Sequence, residues 1–223
     1  MLRIGDYWGK KYEFLRFYLP FVATTGLKFI NWRHCREAIC ERQYEVDGFL
    51  PKKGELVVDV GAQYADYSVI WSKLYGASVV AYEPVRINFE EAMANIHLNH
   101  ANVRIYQSAV GDGSYIKASI GGEELMLSKD HMGESYPTLA LDGQGLVPSL
   151  LKVDVEGFEM DVLRGAEVTL RRYRPRAIVE THSSDLRRAV RHYMSNIGYE
   201  NVIVGRTVQG AGWMNEITNL FFS

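Results

Sequence analysis

The spacing of hydrophobic positions changes at Pro51-Lys52-Lys53-Gly54, a turn-forming cluster. Beyond it, short apolar runs alternate with segments of helical period. Glu55 to Val60 is β-branched and apolar and ends at Gly61, the pattern of a parallel strand covered on both faces. Residues 65–75 carry Tyr67, Val69, Ile70, Leu74 and Tyr75 at near-helical spacing. Ser78 to Tyr82 predicts a second strand, residues 86–99 an amphipathic helix, and Val103 to Tyr106 a third strand. Residues 111–147 are Gly-rich and irregular, with Tyr115-Ile116 and Leu125-Met126 as short hairpin strands. The alternation then resumes: strand four at Leu150 to Val155, a helix over Phe158 to Tyr173, strand five at Arg176 to Thr181, a helix over 184–197. Asn201 to Val204 and Thr218 to Phe222 predict a hairpin joined through Gly210-Ala211-Gly212. Strands alternating with helices define an α/β protein with a doubly wound, mostly parallel sheet and a C-terminal antiparallel hairpin. Such a sheet binds ligands at the carboxyl ends of its strands.

Residues 1–50 read as a helical appendage and 51–223 as the main domain. The appendage is rich in aromatic residues, with Tyr12, Phe14, Leu15, Phe17, Tyr18, Leu19 and Phe21 close together. We expect it to pack against the domain; an interfacial membrane contact and pairing between subunits are the other uses considered. The stretch Phe17 to Leu27 is interrupted by Pro20 and is far short of the roughly 20 apolar residues that span a bilayer. Glu13 and Arg16 interrupt what a secretory signal would need to be apolar.

Composition narrows the function. The chain has 223 residues, 47% apolar and 23% charged, which suits one globular domain with an appendage and excludes global disorder. A net charge of −2 gives no support for strong nonspecific binding to nucleic acid. Cys35 and Cys40 are too few for a disulfide framework or a four-ligand zinc site, and two reduced thiols fit a cytoplasmic protein.

The chemistry-bearing residues follow strands. Asp59-Val60-Gly61-Ala62-Gln63-Tyr64 closes strand one, and Gly61 lets a ligand approach its backbone at a helix start. A dinucleotide fingerprint would need glycine at 63 and 66, where Gln63 and Asp66 stand, which counts against an NAD-dependent oxidoreductase. Glu83, before Pro84, ends strand two where a carboxylate accepts hydrogen bonds from a ribose diol. Lys152, Asp154 and Glu156 put charges into an apolar strand end, which is costly unless they are paired or used. Glu180 and His182 end strand five, and a histidine there can take a proton near neutral pH. The other histidines, His34, His97, His100, His131 and His192, read as surface residues, and no metal is required by the carboxylate pattern.

Together, VVDVGAQYADYS, AYEP, NFEEAMANIHLN, NVRIYQSAVGD, LLKVDVEGFEMDVLRGA and RPRAIVETH resemble the FkbM family of S-adenosylmethionine-dependent methyltransferases over residues 55–182. The resemblance implies a seven-stranded class I methyltransferase sheet whose last strand is antiparallel. It implies that Asp59 and Gly61, with Ala62, Gln63 and Tyr64, lie at the methionine end of S-adenosylmethionine. Glu83 and Pro84 would meet the ribose, and Ser108 and Ala109 the adenine. Asp154, Glu156 and His182 would face the methyl group and the acceptor, with His182 first in line to take the acceptor's proton. The acceptor expected is a hydroxyl on a sugar, lipid or other small molecule. An RNA methyltransferase, with Arg171, Arg172, Arg174, Arg176, Arg187, Arg188 and Arg191 as a basic face, is the second reading; a non-catalytic S-adenosylmethionine-binding module is the third. Ala65 stands where the family commonly has a second glycine; its methyl group is a small intrusion, expected to weaken or reshape cofactor binding without abolishing it.

Overall fold

The apolar runs become strands almost residue for residue in a computed structural model, which describes residues 13–121, 124–128, 134–209 and 216–223. In chain order the elements are α1 (Leu19–Thr25), β1 (Leu56–Val60), α2 (Asp66–Tyr75), β2 (Ser78–Tyr82), α3 (Arg86–Leu98), β3 (Val103–Tyr106) and β4 (Ala109–Val110). Then come β5 (Tyr115–Gly121), β6 (Glu124–Ser128), β7 (Glu134–Leu139), β8 (Leu150–Val153), α4 (Glu159–Arg164), α5 (Glu167–Tyr173), β9 (Arg176–Thr181), α6 (Ser184–Asn196), β10 (Val202–Gln209) and β11 (Glu216–Phe222).

Seven strands form the main sheet in the order β10-β11-β9-β8-β1-β2-β3. β1 pairs in parallel with both β2 and β8, while β11 is antiparallel to β9 and β10. From β1 the chain builds outward to β2 and β3; from β8 it builds the other way. The reversal lies between β1 and β8, where a crevice opens at the carboxyl ends of the strands.

Side-chain alternation splits the core between the two faces of the sheet. Val58, Val80, Leu151 and Val179 join Val162, Leu163, Val190 and Met194 on one face. Val57, Val79, Leu150 and Ile178 join Ile70 and Trp71 on the other. This second cluster also contains Leu27, Phe29, Cys35, Ala38, Tyr44 and Phe49, so the N-terminal segment shares the domain's core. Its aromatic residues pack on one another, with Tyr18 stacked on Trp32 at 5.6 Å and Phe14 edge-on to Trp32. No helix among the described residues is long and apolar enough to cross a membrane.

The structure departs locally from the sequence pattern: strand four, expected to Val155, ends at Val153. The helix expected over Phe158 to Tyr173 is two helices, interrupted at Gly165-Ala166. Gly165 passes so close to another loop that an added Cβ would lie 1.8 Å from the Gly111 carbonyl oxygen. Asp142 then caps the second helix, accepting from the backbone N–H groups of Val168 and Thr169 at 2.9 and 2.7 Å. The irregular region contains more strand than expected: β4, β5, β6 and β7 form a four-stranded sheet in the order β4-β7-β5-β6. In the C-terminal hairpin β10 extends to Gln209, and the Gly210-Ala211-Gly212 connection lies outside the described residues, as do Tyr12 and His131.

Candidate active site

Gly61 is needed for a different reason from the one its sequence context suggests. Its φ is +76°, and a Cβ there would lie 1.7 Å from the Asp154 carbonyl oxygen. The neighbour it admits is therefore the backbone after β8, which brings β1 and β8 together at the crevice. Lys152 locks the same junction: its Nζ donates to the Gly61 carbonyl at 2.6 Å and lies 3.2 Å from Asp59 Oδ1 and 3.5 Å from Asp154 Oδ2. Asp59 is fully buried and also accepts from Ser68 Oγ at 2.6 Å.

The crevice is lined by Gly61, Gln63, Glu83, Pro84, Ser108, Ala109, Asp154, Glu156 and His182 among the residues singled out in the sequence. Three others lie elsewhere. Asp59 and Ala62 are buried behind the lining, and the Tyr64 ring stacks on His34 at 4.3 Å. His34 itself is half-buried and contacts Glu91 at 3.0 Å, so it is not the free surface residue expected. Ala65 does have the left-handed backbone that glycine favours, with φ +56°, but its methyl group is buried in the core cluster and not in the crevice.

Glu83 sits at the end of β2 with only 4% of its surface exposed. Its Oε2 accepts from the Gln63 N–H at 2.9 Å and its Oε1 from the Val85 N–H at 2.8 Å. Burial pushes its pKa up to about 7, against the opposing effect of these hydrogen bonds. Oε1 also accepts from the Asn88 amide at 3.5 Å, and Oε2 retains acceptor capacity. Asn88 and Val85 complete this end, and Val110 lies beside Ser108 and Ala109.

The other end is acidic. His182, 2% exposed, holds Glu159 Oε1 on its Nδ1 at 3.1 Å. Its Nε2 faces Glu156 Oε2 at 3.4 Å, Glu180 Oε1 at 3.5 Å and Asp154 Oδ1 at 3.8 Å. Burial lowers the His182 pKa, but bonds to Glu159 and Glu180 and the charges of Glu159 and Asp154 outweigh it and raise it to about 12. The ring is therefore an imidazolium at neutral pH. Glu156, in a left-handed conformation at φ +54°, has its pKa pushed to about 8 by burial and by the charge of Asp154. Among the described residues, Asp154, Glu180 and His182 each bring one potential metal-ligating atom within 4.8 Å of the others. Lys152 and the imidazolium already bring positive charge to these atoms.

Two residues of this end come from the N-terminal segment and carry no motif. Glu37 lines the crevice, and the Tyr44 hydroxyl contacts Asp154 and Glu180. Burial, then the charges of Glu180 and Asp154, raise the Glu37 pKa to about 7.

These pKa directions set a pH dependence of stability. Glu37, Asp66, Glu83 and Glu156 have folded pKa values of about 7 to 8, above their ordinary 3.8 to 4.5. The folded state thus holds more protons than the unfolded state across that interval, and stability falls as pH rises through it. His182 acts in the same direction between 6.5 and about 12. We expect the melting temperature of the ligand-free protein to be higher at pH 5 than at pH 8.5. Scanning calorimetry showing a rise over that interval would contradict the burial of these carboxylates.

The sheet order, the reversed last strand and a crevice between β1 and β8 define a Rossmann-like methyltransferase fold of class I. The chain belongs to the FkbM methyltransferase family, whose domain profile matches residues 59–200, more than half of the chain. It is similar in structure to methyltransferase FkbM from Methylobacillus flagellatus KT, with a TM-score of 0.56 and 19% identity over 81% of this chain and 46% of that one. The chain thus spans less than half the length of that protein. The fold is also similar to precorrin-6y C5,15-methyltransferase from Geobacter metallireducens GS-15, with a TM-score of 0.53 and 12% identity over 78% and 82% of the two chains. The METTL16 methyltransferase domain gives a TM-score of 0.54 and 12% identity over 91% and 75%. No curated protein sequence matches the chain. Class I methyltransferases use S-adenosylmethionine as their methyl source.

Proposed function

We propose that this protein transfers the methyl group of S-adenosylmethionine to a hydroxyl oxygen of a sugar, lipid or other small molecule. The observation that carries this reading is the division of the crevice into two chemically distinct ends, with Glu83 at one and an acidic cluster at the other. The lining suits the cofactor: the Glu83 carboxylate would accept from the ribose, and Ser108, Ala109 and Val110 would lie against the adenine. Gly61 and Gln63 would border the methionine end. Asp154, Glu156 and Glu180 surround the place where a sulfonium charge would be favoured.

The bound cofactor supplies an electrophilic methyl group on sulfur. The protein's task is to align an acceptor oxygen with it and to accept the hydroxyl proton, and alignment alone can contribute roughly 7–11 kcal/mol. We assign proton acceptance to the Glu156 carboxylate. His182, already protonated and held by four carboxylates, instead orients them. A pKa of about 8 makes the ionised Glu156 carboxylate a stronger base than an ordinary one, and its side chain is 35% exposed.

The RNA reading draws less support. Of its seven arginines, Arg171 pairs with Glu167 and Arg188 with Asp185. Arg174 donates to the Ile197 and Gly198 carbonyls, Arg176 pairs with Glu55, and Arg187 pairs with Glu216. These arginines already have partners within the fold. The test is transfer of a labelled methyl group from S-adenosylmethionine to panels of hydroxylated sugars, lipids and RNA. Label entering a sugar or lipid hydroxyl supports the proposal. Salt-sensitive label in RNA alone transfers the assignment to RNA, and cofactor binding without transfer to any panel favours the non-catalytic module.

A further inference from the structure

Tyr44 precedes the residues matched by the family profile, yet it reaches the acidic end of the crevice. Its ring is buried, lies 4.6 Å from the Tyr67 ring, and has Lys152 Nζ 5.6 Å from its centre. Its hydroxyl oxygen is 2.9 Å from Asp154 Oδ2 and 2.8 Å from Glu180 Oε2. Each of these oxygen–oxygen contacts is a hydrogen-bond distance, and the phenol hydroxyl is shared between the two carboxylates. Burial and the charge of Asp154 raise the Glu180 pKa, while its bonds to His182 and Tyr44 act against this.

We propose that Tyr44 is a positioning residue of the methyl-transfer site: its hydroxyl bridges Asp154 and Glu180 and holds the Asp154 carboxylate toward the methyl group. The N-terminal segment is then part of the active unit and not only a packing arm. Lys152, Glu37, Glu156, Glu159, His182 and Tyr67 are the other titratable groups around this bridge, and a phenol-to-phenyl change removes none of them. The inference rests on the S-adenosylmethionine reading above.

The test compares two probes by calorimetry. S-adenosylhomocysteine has a neutral thioether at the reacting position, whereas sinefungin places an ammonium group there. The ratio of their dissociation constants reads the negative charge facing the methyl position. Tyr44→Phe keeps the ring and loses the donor. It should bind S-adenosylhomocysteine within twofold of wild type, while its preference for sinefungin falls by about tenfold, the scale of one hydrogen bond to a charged group. An unchanged preference in a folded Tyr44→Phe overturns the positioning role. Equal loss of both probes in a folded Tyr44→Phe also overturns it, because Tyr44 would then serve the cofactor pocket generally. Failure of the wild type to bind S-adenosylhomocysteine removes the cofactor reading and this inference with it.

Discussion

Replacing Lys152 with methionine lowers the stability of the protein by about 3–5 kcal/mol, the usual consequence of removing one partner from a buried ion pair. Methionine matches the length of the lysine stem, so the effect comes from lost charge more than from a cavity. The ammonium is 5% exposed and is the cation between Asp59 and Asp154. Burial alone would lower its pKa, but the charges of Asp59 and Asp154 outweigh this and hold it above the usual lysine value. Without it, Asp59 is left as a buried anion, 1% exposed, and the Gly61 carbonyl loses its donor. For a chain of this size the melting temperature should drop by roughly 10 °C. Adding Asp59→Asn should recover part of the loss, because it removes the orphaned charge. A Lys152→Met melting temperature within about 2 °C of wild type would show that the junction between β1 and β8 does not depend on this ion pair.

Glu156→Gln should lower methyl transfer by about 10²- to 10⁴-fold, the range expected for loss of a proton acceptor. The substitution is nearly isosteric and removes only the group's basicity. The loop is set by backbone features that the side chain does not supply: Gly157 at φ +99° and the Glu159 carboxylate accepting from the Gly157 N–H at 3.0 Å. S-adenosylmethionine affinity should therefore change only a few-fold, placing the loss in turnover. The labelled-transfer assay with the acceptor that the panels identify measures both quantities. A variant retaining a third or more of wild-type turnover would remove Glu156 from the proton's path.

The central strands were legible because they are covered on both faces and so read as unbroken apolar runs. β2, β3 and β9 have the boundaries that the pattern predicts. Glu83, Asp154, Glu156 and His182 were legible because each follows such a run, where a charge has no structural reason to be. What the sequence hid depends on distant parts of the chain. The break in the helix after β8 is set by the approach of Gly111 and by a cap from Asp142, neither of which leaves a local signal. The protonation of His182 is set by carboxylates on separate segments, so its residue type alone suggested a base where the fold builds a cation. Tyr44 is 110 residues from Asp154 and 136 from Glu180, inside an aromatic-rich segment where one more tyrosine does not stand out. A fully buried tyrosine does need a partner for its hydroxyl, and that requirement becomes visible only once the fold is known.

Calorimetric titration of S-adenosylmethionine into the wild-type protein and Glu83→Ala tests whether Glu83 and the crevice beside it hold the cofactor. A charge-assisted hydrogen bond to a ribose is worth roughly 10-fold or more in affinity. We expect micromolar binding to the wild type and a loss of at least that size in a folded Glu83→Ala. No binding to folded wild-type protein, or equal affinity in the two proteins, would contradict it.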